Sequence, residues 1–314
     1  MASVPLVLAV ITVNFTLIHL APGDPVTMII GESGNYDKHF VDEVRARYGL
    51  DRPVYVQYLS YVSHVIRGDL GMSFYFDQQP VLSVVISRLP NTLILIAAGY
   101  GFAIIAGVFL GTHAAMQPRS FVDTVASVVG LLGYSTPSFW LGMLLILIFS
   151  VTLDWLPVGG LSNVRVPSEG IAGVIDRATH LVLPSLALGL FHVALVTRLT
   201  RGSMLEIVRL EYIVAARAKG LREKDVYRRH VLRNALLPLF TSIGYTVGFL
   251  FSGSVLVETV FAYPGMGRLL YMALVARDFP LMLGILVLVS MGVTLSNLGT
   301  DLIYGWVDPR IRIR

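Results

Sequence analysis

Cysteine is absent from all 314 residues, which removes disulfide frameworks, Cys-ligated zinc, iron–sulfur clusters and thiol nucleophiles. Charge is scarce as well. Asp, Glu, Lys and Arg together make 14% of the chain, against about 25% in an ordinary soluble domain. No G-x-x-x-x-G-K-[ST] loop occurs, so the chain cannot cradle nucleotide phosphates in that manner. The long apolar runs lack the paired acids, histidines or lysines that carry protons through a coupled transporter. No two histidines have the i, i+4 spacing of a helical metal site. The formal charge of +4 comes from arginines beside apolar runs, where membrane topology accounts for them, so nucleic acid is not an expected partner.

What is abundant is apolar sequence, at 55% of the chain, arranged in runs near the length of about 20 residues that a membrane-spanning helix needs. These predict an all-α polytopic membrane protein with six spans in a single domain over residues 1–314, at about 4–20, 91–116, 124–153, 181–197, 234–257 and 279–300. Residues 21–90 are charged, aromatic and rich in Gly and Pro. They predict a small folded extramembrane segment with short helices near 40–48 and 53–66, the second framed by Pro53 and Gly68. Gly107 and Gly111, and Gly244 and Gly248, have small-xxx-small spacing, read here as internal packing. His192, within the fourth span, is read as a hydrogen-bonded packing residue.

Six spans place both termini on one side. The segment 198–233 carries Arg198, Arg201, Arg209, Arg217, Lys219, Arg222, Lys224, Arg228, Arg229 and Arg233, and the tail adds Arg310, Arg312 and Arg314. The loops 154–180 and 258–278 hold only two basic residues each, Arg165 with Arg177 and Arg268 with Arg277. The excess of arginine puts both termini and segment 198–233 in the cytoplasm, and segment 21–90 outside.

Segment 198–233 reads as helical. Leu205, Val208, Tyr212 and Ala215 fall at i, i+3, i+7 and i+10 and predict one apolar stripe. Gly220 follows Ala215-Ala216-Arg217-Ala218-Lys219 in a position suited to a left-handed cap, and a second basic helical run leads to the fifth span. A different irregularity lies within the third span. There Tyr134, Ser135, Thr136, Pro137 and Ser138 make a polar break in an apolar run. Broken helices line cavities in transporters, so Tyr134, Ser135 and Pro137 are candidate residues of a translocation path. A simple kink is the plainer reading.

The stretch from Tyr212 to Gly220, followed by His230-Val-Leu-Arg-Asn-Ala-Leu-Leu-Pro238, resembles the EAA loop of binding-protein-dependent ABC importer permeases, in the form found in the peptide and nickel permease family. Leu20-Ala-Pro-Gly-Asp-Pro25, Gly68-Asp-Leu-Gly71, Leu183-Pro-Ser-Leu186, Tyr263-Pro-Gly-Met-Gly-Arg-Leu-Leu270 and Asp308-Pro-Arg-Ile-Arg312 fit the same family in order along nearly the whole chain. The outward segment after the first span resembles that of the B-type member of the permease pair.

The resemblance implies the type I ABC importer permease fold in a prokaryotic cell inner membrane. It also implies that the chain is a non-catalytic subunit forming half of a path for peptides or related small solutes. Its implied partners are membrane lipid, a second homologous permease subunit of the C-type, an extracytoplasmic solute-binding protein and two cytoplasmic ATPase subunits. ATP and Mg belong to the ATPases, and no cofactor is expected on this chain. Tyr212, Ala215, Ala216, Arg217, Lys219 and Gly220 are the implied ATPase-coupling residues. Val214 stands where the name-giving glutamate would be. Relatives carry a short basic stretch before the first span and this sequence does not, so its start is expected to lie upstream. Residues alone leave a second reading, a stand-alone channel or secondary transporter with a basic regulatory loop.

Overall fold

The computed structural model of the protein describes residues 51–163, 169–239 and 254–307, with residues 8, 9, 11–13, 15, 16, 19, 39, 42, 45 and 46; the side chains of 129, 131, 132, 134 and 300–307 fall outside this description. Outside it too lie the Leu20–Pro25 and Asp308–Arg312 motifs, most of the helix expected at 40–48, Gly244, Gly248 and residues 240–253 of the fifth span. All regular elements among the described residues are helical. They are α1 (Val54–Ile66), α2 (Val81–Met116), α3 (Phe121–Ser135), α4 (Ser138–Leu145), α5 (Gly170–Ile207), α6 (Glu211–Ala218), α7 (Glu223–Asp225), α8 (Arg233–Ala235), α9 (Met266–Val275) and α10 (Phe279–Val307). A π-helical stretch, Ile146–Thr152, continues α4, and another, Val226–Leu232, joins α7 to α8. Val81–Met116, Gly170–Ile207 and Phe279–Gly299 are long and apolar enough to cross a membrane.

The chain divides into two compact units. The first combines Met1–Pro90 with Leu269–Leu295. Helix α1 begins after Pro53 and ends before Gly68, as the sequence predicts, and Gly68 takes a positive φ of 79°. Its Tyr58 and Tyr61 rings pack on Phe15 of the first span. The Gly68-Asp-Leu-Gly71 motif is a turn in which Asp69 Oδ1 accepts from the Gly71 N–H at 2.9 Å, and Gly71 has φ 82°. Asp278 is the N-cap of α10. It is buried and accepts from the N–H of Leu281 at 3.1 Å, satisfying one of the orphan donors of the first turn. Its other carboxylate oxygen accepts from Ser73 Oγ at 2.6 Å and from the Tyr75 N–H at 3.0 Å, so one acid starts a helix and pins the loop after Gly71.

The second unit combines Asn91–Arg268 with Ser296–Arg314. Small residues let α2 and α5 approach closely here. A Cβ on Gly189 would lie 2.5 Å from the Gly99 carbonyl oxygen, and one on Gly111 would lie 2.7 Å from that of Thr197. Gly107 fits against Val196 in the same way. The Gly107/Gly111 pair therefore serves internal packing, as expected. His192 is also a packing residue: it is buried, its Nδ1 lies 3.1 Å from the Leu188 carbonyl oxygen, and its ring meets Tyr100 edge-on.

Two helices run beyond the expected spans, and one expectation from the sequence needs correction. Helix α2 starts at Val81, ahead of the expected span 91–116, and runs through Pro90. Proline inside a helix removes one hydrogen bond without obliging the helix to end. Helix α5 occupies Gly170–Ile207, enclosing the expected span 181–197, and contains Pro184. At 1.5 Å per residue it is about 57 Å long, nearly twice a hydrocarbon core of about 30 Å, so its charged ends extend beyond the apolar stretch. The stripe through Leu205, Val208, Tyr212 and Ala215 is not one helical face. The chain turns at 208–210, and Tyr212 and Ala215 are exposed whereas Ile213 and Ala216 are buried.

Candidate functional site

Helix α6 is two turns long, and its inner and outer faces have opposite environments. Ile213 belongs to a buried cluster with Ala115 of α2, Met204 of α5, Val226 and Val231 of the π-helical stretch, and Ala235 of α8, and Ala216 is buried as well. This core fixes the short helix to the ends of two long ones, which a solitary eight-residue helix would need in order to persist in water. On the outer face Leu210, Tyr212 and Val214 are 47%, 44% and 56% exposed, and Ala215 is exposed beside them. Val214, at the position of the expected glutamate, thus offers an apolar contact and no ionic one.

The C-terminal end of α6 is shaped by Gly220, whose φ is 79° and whose N–H donates to the Arg217 carbonyl at 2.9 Å. Open space surrounds the position of a Cβ there, so the backbone conformation and not crowding calls for glycine. Across this turn Arg217 donates to both carboxylate oxygens of Glu223, from Nε at 2.8 Å and Nη2 at 3.3 Å, and the pairing holds the guanidinium above its ordinary pKa. The pair is solvent-facing and contributes little stability; it bridges the turn between α6 and α7. Asn234 Nδ2 donates to Tyr212 Oη at 3.2 Å and to the His230 carbonyl at 2.7 Å. Lys219 is the exposed C-cap. The structure therefore gathers Tyr212, Ala215, Ala216, Arg217, Lys219 and Gly220 on one small element, with Ala216 buried beneath the others.

The polar interruption of the third span is a true break. Helix α3 ends at Ser135, Pro137 is extended at φ −60° and ψ 132°, and α4 begins at Ser138. Ser135, Thr136, Pro137, Phe139 and Trp140 border an open cavity of about 370 Å³. Trp140 is 48% exposed, placing a large aromatic surface beside two hydroxyls and an unwound backbone. The Tyr134 side chain is outside the described residues. The π-helical stretch that follows is closed by Thr152 Oγ1 donating to the Leu147 carbonyl at 2.8 Å.

Two further clusters escaped sequence reasoning. Glu258 is fully buried. Its carboxylate accepts from Thr92 Oγ1 at 2.8 Å and from the Arg268 N–H at 2.9 Å, while Thr92 Oγ1 accepts from the Met266 N–H at 2.7 Å. A Cβ on Gly265 would collide with this carboxylate, and one on Gly267 would lie 2.5 Å from Val255 Cα. The two glycines of Tyr263-Pro-Gly-Met-Gly-Arg268 are therefore the walls of a cradle for Glu258. Asn91 Nδ2 donates to the Pro264 carbonyl at 2.8 Å and closes it.

The second cluster lies at the start of α3. Arg201 of α5 donates to both oxygens of Asp123, from Nε at 2.6 Å and Nη2 at 2.9 Å. The Arg119 N–H donates to the same carboxylate at 2.8 Å. Together these hold the Asp123 carboxyl below the usual carboxylate range. A depressed value means that the pairing is complete at neutral pH and is lost only as acid approaches that lowered pKa. No group of three or more metal-ligating side chains occurs among the described residues.

The family model for the binding-protein-dependent transport system inner membrane component matches residues 103–313, and the model for the N-terminal part of such membrane components matches residues 1–96. The oligopeptide transport system permease protein AppB of Bacillus subtilis is 36% identical, covering 98% of this chain and 96% of that one. The dipeptide transport system permease protein DppB of Escherichia coli is 39% identical, again over 98% of this chain and 96% of that one. The di/tripeptide permease DppB of Pseudomonas aeruginosa is likewise 39% identical, with the same coverage. In fold the chain is similar to an amino acid ABC transporter solved with histidines, at a TM-score of 0.50 over 73% of this chain and 94% of that one, with 16% identity.

Proposed function

The chain belongs to the family of binding-protein-dependent transport system inner membrane components, and from that premise we propose that it forms half of the translocation path of an ATP-driven importer for peptides or related small solutes. It is an all-α membrane permease of the type I importer fold. In the proposed assembly it pairs with a homologous C-type permease, receives solute from an extracytoplasmic binding protein, and rests on two cytoplasmic ATPase subunits that carry ATP and Mg. Both termini and α6 face the cytoplasm, following the distribution of arginine.

The observation that carries this reading is the two-faced α6. Its inner side is fused to the ends of α2 and α5, while its outer side presents Leu210, Tyr212, Val214 and Ala215 to solvent. A rigid apolar knob on a basic surface suits a groove on a soluble partner. Tyr212, Ala215, Arg217, Lys219 and Gly220 form the docking element, with Ala216 as its inner anchor. ATP binding closes the ATPases, displaces α6, and shifts the permease pair between inward-facing and outward-facing states. The chain adds no covalent chemistry. The break at Ser135 and Pro137, with Tyr134 beside it, borders the path. The relatives named for oligopeptides, dipeptides and di/tripeptides are the support for a peptide-like cargo.

The test is purification from the native membrane followed by reconstitution. ATPase subunits are expected to accompany the chain, and solute uptake is expected to require ATP and the binding protein. Full transport by this chain alone, without ATPase subunits, would establish the channel or secondary-transporter reading instead.

A further inference from the structure

Helices α3 and α5 meet at two places with a void between them. Near the break, a Cβ on Gly133 would lie 3.0 Å from the Leu190 carbonyl oxygen, so the backbones there are in close approach. At the other end stands the Asp123–Arg201 pair, with the Asp123 side chain almost wholly buried and that of Arg201 about one-third exposed. Between these points lies a cavity of about 320 Å³ bordered by Ala126, Ser127, Gly130, Ala194 and Thr197, among others. At its start α3 is tied to α5 by this forked ion pair.

That fork occupies a particular place in the chain of contacts. Arg201 lies three residues before Met204, which is part of the core beneath α6. Asp123 lies in the first turn of α3, the helix that ends at the Thr136–Pro137 break. We propose that the Asp123–Arg201 pair is a positioning tie through which displacement of α6 and the end of α5 is passed to α3 and so to the break. The inference rests on the coupling role of α6 and the path role of the break proposed above. A guanidinium fork on a carboxylate fixes both distance and rotation, which a lysine ammonium does not. The Arg119 N–H on the same carboxylate anchors Asp123 to its own helix start, so that a pull on Arg201 moves α3 as a body instead of swinging one side chain.

The experiment uses the complete transporter in lipid vesicles, measuring ATP hydrolysis, solute uptake and the signal of an environment-sensitive label on Thr136→Cys in the otherwise cysteine-free chain. With Arg201→Lys, charge is kept and the fork is lost. ATP hydrolysis is expected to stay within about twofold of the parent while uptake per ATP falls about tenfold, a typical size for coupling between sites. The label at position 136 is expected to lose its response to ATP binding. Asp123→Asn should give the same pattern, and the double variant should be no worse than either single one, because all three remove one interaction.

Normal uptake per ATP in Arg201→Lys overturns the tie. So does a parallel fall in assembled complex, hydrolysis and uptake with the label response intact, which is the pattern of a purely structural pair. Cross-linking of Ala215→Cys to the ATPase subunits, done alongside, separates the two levels. Cross-links with normal coupling in Arg201→Lys defeat the tie alone. Absence of cross-links in the parent defeats the docking role on which the tie depends.

Discussion

Gly265→Val is expected to remove most folded protein from the membrane, although residue 265 lies in a loop and far in sequence from α6. A side chain there would occupy the position of the Glu258 carboxylate, which is fully buried and bonded to Thr92 Oγ1 and the Arg268 N–H. Displacing it breaks these bonds and overfills a buried site. A buried polar group left unsatisfied costs about 1–3 kcal/mol and overpacking typically about 1–3 kcal/mol, a large share of the roughly 5–15 kcal/mol that separates folded from unfolded protein. Gly101→Ala is the control, since a Cβ at Gly101 meets nothing within 4 Å. The measurement is the yield and thermal midpoint of detergent-extracted protein. A Gly265→Val protein with the parent's yield and midpoint would show that the cradle does not matter to folding.

Gly220→Val is expected to do the reverse, leaving the protein in the membrane while separating ATP hydrolysis from transport. Its φ of 79° lies in the left-handed region, which costs a residue with a Cβ about 1–2 kcal/mol and a β-branched one more. The surroundings are open, so the strain is relieved by re-aiming the turn after α6, not by disrupting a core. That turn sets the angle between α6 and α7, reinforced by Arg217 and Glu223. Uptake per ATP should fall by about tenfold or more, within the range of measured coupling energies. Normal uptake in this variant, at normal abundance, counts against docking through α6.

How far the sequence could be read depended on whether the cause of a feature was local. Pro53 and Gly68 frame α1, Phe279 opens α10, and Gly220 caps α6 as the residue patterns indicate, because each is decided within one or two turns of helix. Pro137 likewise marked the break, though whether the helix kinked or stopped depended on its neighbours. Helices α2 and α5 run past the expected spans because charge limits what lipid can cover, whereas a helix ends only where its hydrogen bonds do. Continuity from Leu205 to Ala215 failed for a related reason: the periodicity persists across the turn at 208–210, but the helix does not.

The long-range clusters had no readable signal. Asp123 and Arg201 are 78 residues apart, Thr92 and Glu258 are 166 apart, and Ser73 and Asp278 are 205 apart. A single sequence shows each as an unremarked polar residue. The glycines of Tyr263-Pro-Gly-Met-Gly-Arg268 were visible as a motif, yet their purpose, room for Glu258, required the fold. Asn234 sat in plain view within the resemblance, and its bond to Tyr212 of α6 became apparent only with that helix in place.

Because the chain contains no cysteine, one introduced at Ala215 is unique, and Ala215 is exposed on the outer face of α6. Oxidative cross-linking of Ala215→Cys to single cysteines placed around the groove of the partner ATPase subunits, in native membranes, tests the central claim most directly. The account predicts a specific cross-linked pair whose yield changes when ATP is added, with no such product from a cysteine at Gln78, in the segment proposed to face outward. Cross-linking from position 78 but not from 215, or from neither, contradicts it.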